Sequence, residues 1–279
     1  MRTAFNRGVY QLSKENYDQA ISEFRTAVDE NADDYRAWFN LGAAYQAKAD
    51  LWIKSGKSQQ AHALTDHAEE AYRSVIKLKP GNIRASINLA AIEYERDQKD
   101  QAKQRLAELI ESHPRHALPH AALAAHLIQE KQLEQAREHL LRATRLDPGN
   151  LEAQYLLGRT LWRLKDPDGA RKAFGNALKR SSNDMATLLA LGELEFEQQQ
   201  YGQAQSYLTG ALFIEPDIQR AHHILAQVSL QQGNIEKAVA HLWQARRLSS
   251  NDRQIQDYNS QLVQLYKRLI EAQDRSSQP

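Results

Sequence analysis

The feature that most constrains this chain is a unit of 34 residues that recurs along most of its length. Each unit has one small residue in its first half and an Ala in its second half, at constant spacing except for one interval of 48 residues. Apolar residues around them follow a helical period rather than the alternation of a strand, so each unit is predicted to be two helices. The first small residues are Gly8, Gly42, Ala90, Ala124, Gly158, Gly192 and Ala226, and the second are Ala20, Ala68, Ala102, Ala136, Ala170, Ala204 and Ala238.

A lone pair of such helices cannot bury its apolar face, so the units are predicted to stack on one another. Small residues let two helices approach, and a bulky apolar residue four positions after each second-helix Ala fills the space between pairs. Pro80, Pro114, Pro148 and Pro216 end four of the units, since proline cannot continue a helix. The bulky residues are Phe24, Tyr72, Leu106, Leu140, Phe174, Leu208 and Leu242.

A helix-turn-helix of this length with Leu-Gly, Ala, Phe, Ala and Pro at these offsets resembles the tetratricopeptide repeat (TPR). The resemblance implies an all-α fold, a right-handed superhelical α-solenoid in which the first helices line a concave groove. It predicts a single array over residues 1–272, closed by a capping helix at 253–272, with a disordered tail at 273–279. The seven predicted copies span residues 1–34, 35–82, 83–116, 117–150, 151–184, 185–218 and 219–252.

The second copy is longer than the others because it carries extra residues at about 46–67. We interpret them as extra turns on both helices, which would run to about Lys54 and from about Ser58, and would form a projecting hairpin. Trp52 and Leu64 are then expected to hold the two extended helices together. The alternative is that Leu51 and Trp52 form a second, exposed contact for a partner.

Composition excludes several classes of function. Net charge is only +1, from 36 basic and 35 acidic residues, so nucleic acid is not an expected partner. There is no cysteine, and no apolar run reaches the roughly 20 residues of a membrane span, so direct membrane insertion is not expected. If Met1 is the native start, a cytoplasmic location is expected; if the chain is an excised domain, the alternative is periplasmic.

No catalytic motif is found, and the protein is predicted not to be an enzyme, with no cofactor and no metal. The histidines His113, His116 and His120 lie across a loop with no residue spaced to complete a metal site. Along one first helix, Glu193, Glu195 and Glu197 cannot all share a face, so they predict a solvated surface rather than a carboxylate pair.

In TPR proteins the groove is lined by positions 2, 5, 6, 9 and 12 of each first helix, and the resemblance carries these positions over. Positions 2 and 6 pair Arg with Asn in the first three copies, Arg2 with Asn6 being the first, which resembles the asparagine ladder that grips a peptide backbone. The groove is thus expected to be basic and amide-rich early, and apolar and aromatic later. The predicted partner-binding residues are Arg36, Phe39, Asn40, Arg84, Ile87, Asn88, Tyr94, Tyr155, Arg159, Trp162 and Phe196.

The TPR resemblance also includes a clamp for terminal carboxylates, from which this chain departs. That clamp needs Lys and Asn at positions 5 and 9 of one copy, where this sequence has Phe5 and Val9. Binding of chaperone tails is therefore not expected.

The predicted function is a non-enzymatic scaffold or adaptor that binds a peptide or helix of a partner protein in the groove. One alternative is an assembly subunit of a bacterial envelope machine for secretion, pili or polysaccharide export. Another is a regulatory module of an enzyme whose catalytic domain lies elsewhere.

Overall fold

Helices make up 82% of the described residues, which contain no strand. The computed structural model describes residues 3–276, and the side chains of residues 3–271. The helices in this part are α1 Ala4–Ser13, α2 Tyr17–Glu30, α3 Tyr35–Lys54, α4 Ser58–Leu78, α5 Ile83–Glu95, α6 Lys99–Ser112, α7 Ala117–Gln129, α8 Leu133–Leu146, α9 Leu151–Arg163, α10 Pro167–Arg180, α11 Met185–Glu197, α12 Tyr201–Ile214, α13 Gln219–Gln231, α14 Ile235–Leu248 and α15 Asp252–Ser276.

The chain divides into two compact units, Met1–Glu130 with α1 to α7 and Lys131–Pro279 with α8 to α15. Within each unit, helices that follow one another in sequence pack together. Alternate helices also touch: α1 with α3 and α5 with α7 in the first unit, and α9 with α11 and α11 with α13 in the second. First helices of successive copies therefore lie side by side. The single array over residues 1–272 stays a prediction.

Close approach of the two helices in a copy depends on the small residue of the first helix. A Cβ built on Gly42 would lie 2.8 Å from Cε1 of Tyr72, and one built on Gly158 would lie 2.5 Å from Cδ1 of Phe174. Both rings are fully buried, so each fills the space that a side chain on the glycine would need. All the small residues that define the repeat are buried, as the sequence predicts.

Replacing Gly158 by Ala is expected to destabilise the protein by about 1–3 kcal/mol, because the new methyl group must displace the Phe174 ring in a packed core. Gly175→Ala in α10 is the matched control: its Cβ meets nothing within 4 Å, so higher helix propensity should stabilise the chain by up to about 1 kcal/mol. Urea unfolding followed by circular dichroism measures both. Equal shifts in the two variants would contradict the close contact.

The turn between the two helices of a copy contains one residue with positive φ. Gly56 and Gly233 hold this position in two copies. In the others a residue with a side chain adopts the left-handed conformation, which costs roughly 1–2 kcal/mol and is held in place by the packing of the two helices. These residues are Glu15, Asp97, Lys131, Lys165 and Gln199.

The long second copy forms the hairpin of α3 and α4, with helix ends at Lys54 and Ser58. Leu64 is buried in the core cluster of the first unit, and Trp52 packs half-buried against the same cluster. This supports the interpretation that these two side chains hold the extended helices together. Leu51 remains 51% exposed and Ile53 49% exposed on the same turn of α3.

The expectation of a solvated surface is wrong for Glu195. Its side chain is fully buried, and Nε and Nη2 of Arg171 donate to its two carboxylate oxygens at 2.6 and 3.0 Å. Glu93 has the same place in its own copy and is paired in the same way with Arg105. A buried carboxylate needs such a partner, which the spacing of glutamates along one helix does not reveal.

The last helix, α15, packs on α14 and continues to Ser276, past Ala272 where the sequence predicts its end. Residues 271–275 are Glu, Ala, Gln, Asp and Arg, mostly good helix formers with no glycine or proline to stop the helix. Of the tail predicted at 273–279, residues 277–279 lie outside the described residues.

Candidate functional site

A recess of about 470 Å³ opens on the second unit, where α9, α11 and α13 lie side by side. All three are first helices of their copies, so the recess is on the wall that the sequence predicts to bind a partner. It is lined by Tyr155, Arg159, Trp162, Arg163, Lys165, Met185, Ala186, Leu189, Ala190, Glu193, Glu197 and Arg220.

The apolar part of the recess combines small residues on α11 with aromatic residues on α9. Ala186 and Ala190 are one helical turn apart, and Leu189 lies between them. Their short side chains leave space beside the ring of Tyr155. That ring is backed by Phe174 at a centroid distance of 5.9 Å, so its position is fixed from behind.

Trp162 is held by a hydrogen bond in which its Nε1 donates to Oε2 of Glu197 at 2.7 Å. Because the acceptor is a carboxylate, this hydrogen bond is stronger than one between two neutral groups. It joins the end of α9 to the end of α11 and gives the indole one fixed orientation at the wall of the recess.

Charge in the recess is predominantly positive. Arg220 on α13 pairs with Glu193 on α11, its Nη2 donating to Oε2 at 2.8 Å. Burial raises the pKa of the Glu193 carboxyl above its ordinary value, against the opposing effects of Arg220 and Arg159. Within the described residues, Arg159, Arg163 and Lys165 form no ion pair with a carboxylate.

Three predicted groove residues, Tyr155, Arg159 and Trp162, come together in this recess. Phe196 does not line it; its ring lies 6.1 Å from that of Tyr201 and packs against a core cluster. The later part of the groove was expected to be apolar and aromatic, with Arg159 among its predicted residues, but the structure also brings Arg163, Lys165 and Arg220 to it.

In the first unit, Arg36 and Asn40 already have partners within the chain. Nε and Nη2 of Arg36 donate to Oδ1 and Oδ2 of Asp34 at 2.9 and 3.0 Å, and Nδ2 of Asn40 donates to the carbonyl oxygen of Arg36 at 2.8 Å. Arg84 is exposed. Arg2, which the pattern pairs with Asn6, lies outside the described residues. The asparagine ladder stays a prediction.

Asn88 hydrogen-bonds to the buried hydroxyl of Tyr72, which donates to Oε1 of Gln46 at 3.0 Å. Phe39 lies against the same ring with centroids 5.8 Å apart, and Ile87 is half-buried beside Asn88 in α5. Asn88 therefore contributes to the packing between α4 and α5 as well as to the surface.

Tyr94 is only 8% exposed, and its ring stacks on that of His126 with centroids 4.2 Å apart. Its hydroxyl group points to the carbonyl oxygen of His126 at 3.4 Å. The side chain is thus mostly committed to the core of the first unit.

A second recess of about 340 Å³ lies beside the last turns of α3, lined by Leu51, Trp52 and Lys48 together with the turn before α2 and the first turn of α2. Nζ of Lys48 lies 4.7 Å from the centroid of a Trp52 ring and pairs with Asp18. The two hairpin residues predicted as a second contact are therefore next to each other on an open surface, and their role as a contact stays a prediction.

Sequence reasoning missed Arg163, Lys165, Glu193 and Arg220. Arg220 carried a usable signal, because it holds position 2 of its copy, as Arg36 and Arg84 do in theirs. Glu193 holds position 9 of its copy, which is also a carried-over position, but from the sequence we interpret it as part of a solvated surface. Arg163 and Lys165 lie outside the carried-over positions, and only the packing of α9 against α11 brings them to the recess.

No group of three or more His, Cys, Asp or Glu side chains in the described part of the chain is arranged to hold a metal ion. None of the helices described by the structure is both long and apolar enough to cross a membrane.

Packed helix pairs with first helices side by side define an all-α repeat protein of the α-solenoid class. The tetratricopeptide repeat pattern matches residues 5–50, 65–125, 127–192 and 195–258, which is well over half of the chain. The chain belongs to the tetratricopeptide repeat family, as its resemblance predicts.

Several characterised proteins are similar to it. Type IV pilus assembly protein PilF of Pseudomonas aeruginosa is 22% identical over 216 residues, which cover 76% of this chain and 85% of PilF. A solved structure of P. aeruginosa PilF aligns with a TM-score of 0.62 and 19% identity, covering 79% of this chain and 97% of that one.

Two further solved structures share the fold. YrrB, a TPR protein with an unusual peptide-binding site, has a TM-score of 0.58 at 18% identity, covering 69% of this chain and 99% of YrrB. MamA has a TM-score of 0.55 at 17% identity, covering 58% and 89%. Structural likeness at these identities supports the fold alone.

Burial of Tyr72 raises its pKa to about 12, so the folded protein keeps this proton more tightly than the unfolded chain does. The resulting stability is fully present below pH ~10 and is lost as pH rises towards 12, by about 2–3 kcal/mol for a shift of this size. Tyr72→Phe should lose correspondingly less stability between pH 9 and 12 than the unmodified chain. Urea unfolding at both pH values measures the difference, and parallel losses would contradict it.

Proposed function

We propose that this protein is a non-enzymatic scaffold that binds a segment of a partner protein, extended or helical, in the recess of α9, α11 and α13. The observation that carries the proposal is the recess itself, which offers an apolar floor, two fixed aromatic side chains and cationic side chains without a carboxylate partner. TPR proteins are generally interaction scaffolds without catalytic activity, which supports the same proposal.

The recess is suited to binding because much of it is already ordered. Phe174 backs Tyr155, and Glu197 holds Trp162, so binding need not immobilise these side chains. Immobilising a side chain on association typically opposes binding by about 0.5–1.5 kcal/mol. Aromatic side chains with arginine nearby are also the residues that most often dominate interface energies.

In the first unit, we propose that Arg36, Arg84 and the half-buried Phe39 form a polar and aromatic contact for a partner. The exposed guanidinium of Arg84 supports this, as does Arg36, which lies over the ring of Phe5 at 5.7 Å. We expect Asn40 and Asn88 to contribute less to partner binding than the unpaired amides of an asparagine ladder would, because their amides already have partners within the chain.

Filling the recess tests the proposal. Ala186→Trp places a large ring on the floor of the recess, whereas Ala240→Trp adds the same ring to an exposed position of α14. We expect peptides selected by the unmodified protein from an unbiased displayed library to bind Ala240→Trp normally and Ala186→Trp at least ten-fold more weakly. Fluorescence polarisation with labelled peptides measures both affinities.

Circular dichroism and urea unfolding show whether each variant is folded. A folded Ala186→Trp that binds the selected peptides as tightly as the unmodified protein would contradict the assignment of the recess. Failure of the library to yield any peptide that the unmodified protein binds would count against the binding function itself.

A second candidate is an assembly subunit of a bacterial envelope machine, specifically one for type IV pili. The similarity to the pilus assembly protein PilF supports it, because it extends over most of both chains rather than over one or two repeats. Under this candidate we propose a periplasmic location.

Deleting the gene in its own host tests the second candidate. We expect surface pili to disappear from negatively stained cells and to return when the unmodified gene is supplied on a plasmid. The Ala240→Trp variant should restore pili as well, whereas Ala186→Trp should not if the recess holds the assembly partner. Normal pili in the deletion strain would exclude this candidate.

A further inference from the structure

We propose that the partner segment carries an Asp or Glu side chain next to a small or medium-sized aliphatic residue. This inference rests on the proposed function, because it names the chemistry of the segment that the recess of α9, α11 and α13 would hold. It goes further by assigning a place to each of the two side chains.

The balance of charge in the recess favours an acidic segment. Four cations line it, Arg159, Arg163, Lys165 and Arg220, against two carboxylates. Glu193 is paired with Arg220, whereas Glu197 accepts from the uncharged Trp162 indole and keeps its charge, so four positive against two negative charges leave a net charge of +2. The positive charge that is left over lies on α9 and on the turn that follows it. An incoming carboxylate would neutralise that charge.

Arg159 is the residue best placed to receive the carboxylate. It is exposed, its guanidinium carbon lies 5.8 Å from the centroid of the Tyr155 ring, and its Nη1 is 3.5 Å from the Tyr155 hydroxyl oxygen. The ring positions the guanidinium at the edge of the recess without occupying most of its donors. A planar guanidinium with free donors can bind a carboxylate through two parallel hydrogen bonds.

Glu193 determines which edge of the recess the carboxylate uses. It is paired with Arg220 on α13, so a second carboxylate there would have to compete for an occupied arginine. Glu193 also interacts electrostatically with Arg159, but forms no ion pair with it among the described residues, so the donors of Arg159 stay available. At the α9 edge, Arg163 and Lys165 add positive charge next to Arg159. The acidic side chain therefore belongs at the α9 edge.

The aliphatic neighbour belongs on the floor provided by α11. Ala186, Leu189 and Ala190 leave a shallow apolar space between the Tyr155 ring and α13. None of these three side chains carries a charge, so the space suits an aliphatic group. Burial of one aliphatic side chain of Val or Leu size stabilises a complex by an amount comparable with a charged hydrogen bond. The two neighbouring contacts thus define a short acidic–aliphatic motif.

The test compares peptides that differ in one charge. An array of peptides of equal length, with acidic, neutral and basic members in equal number, is bound to the unmodified protein, and each acidic binder is remade with Asn for Asp or Gln for Glu. We expect the acidic member of each pair to bind at least ten-fold more tightly. In the double variant Arg159→Gln, Arg163→Gln this ratio should fall below about three-fold.

Arg180→Gln is the matched control, because Arg180 is an exposed arginine in the last turn of α10 and does not line the recess. It should keep the full preference for acidic peptides. Since all three arginines are exposed, the variants should fold normally, which circular dichroism verifies before the affinities are compared.

Equal affinity for the acid and amide members of the pairs would overturn this inference, yet the proposed function would stand if Ala186→Trp still abolished binding. A preference for basic peptides would overturn it in the same way. The inference would also be overturned if the unmodified protein bound a single-stranded oligonucleotide as tightly as the best peptide and the double arginine variant bound that oligonucleotide more weakly. If no peptide of the array binds the unmodified protein, both this inference and the proposed function fail.

Discussion

The contact on which the rest of this structure depends is a large buried side chain against a residue with little or no side chain. Tyr72 against Gly42 and Phe174 against Gly158 bring the two helices of a copy to a distance that no larger residue would allow. Because this contact recurs along the chain, first helices lie side by side in both units: α1 with α3, α5 with α7, α9 with α11 and α11 with α13. Packing alone therefore places first-helix residues on a shared surface.

The three glutamates of α11 show how one helix serves both the core and that wall. Glu193 and Glu197 are four apart and reach the recess, where each has a partner from a neighbouring element. Glu195 lies between them on another face and is buried with Arg171. A buried ion pair contributes little net stability compared with apolar packing, but removing one partner is strongly destabilising. Such a pair therefore favours one packing of α10 against α11, on which the geometry of the recess depends.

Sequence reasoning reached the fold because the repeat encodes the packing directly: the small residues it aligns are all buried, and the long hairpin has its helix ends at Lys54 and Ser58. It also reached part of the recess, since Tyr155, Arg159 and Trp162 hold positions that line the groove in the family. It could not see that Asn40 bonds to its own helix, that Asn88 bonds to Tyr72, or that Tyr94 stacks on His126. Tertiary contacts decide which partner each of these side chains takes, and the repeat pattern does not contain that information.

The location of the recess follows from what occupies positions 2 and 6 of the first helices. In the second and third copies these positions hold Arg and Asn, whose side chains are longer than that of Ala. Arg36 and Asn40 bond within the chain, whereas Arg84 is exposed. In the sixth copy they hold Ala186 and Ala190, which project only a methyl group each and leave the space between α9 and α13 open. The smaller side-chain volume at these two positions contributes to the open space beside α11. A repeat fold can thus create a binding site by shortening side chains on one helix while the long side chains of its neighbours supply the charge and the aromatic walls.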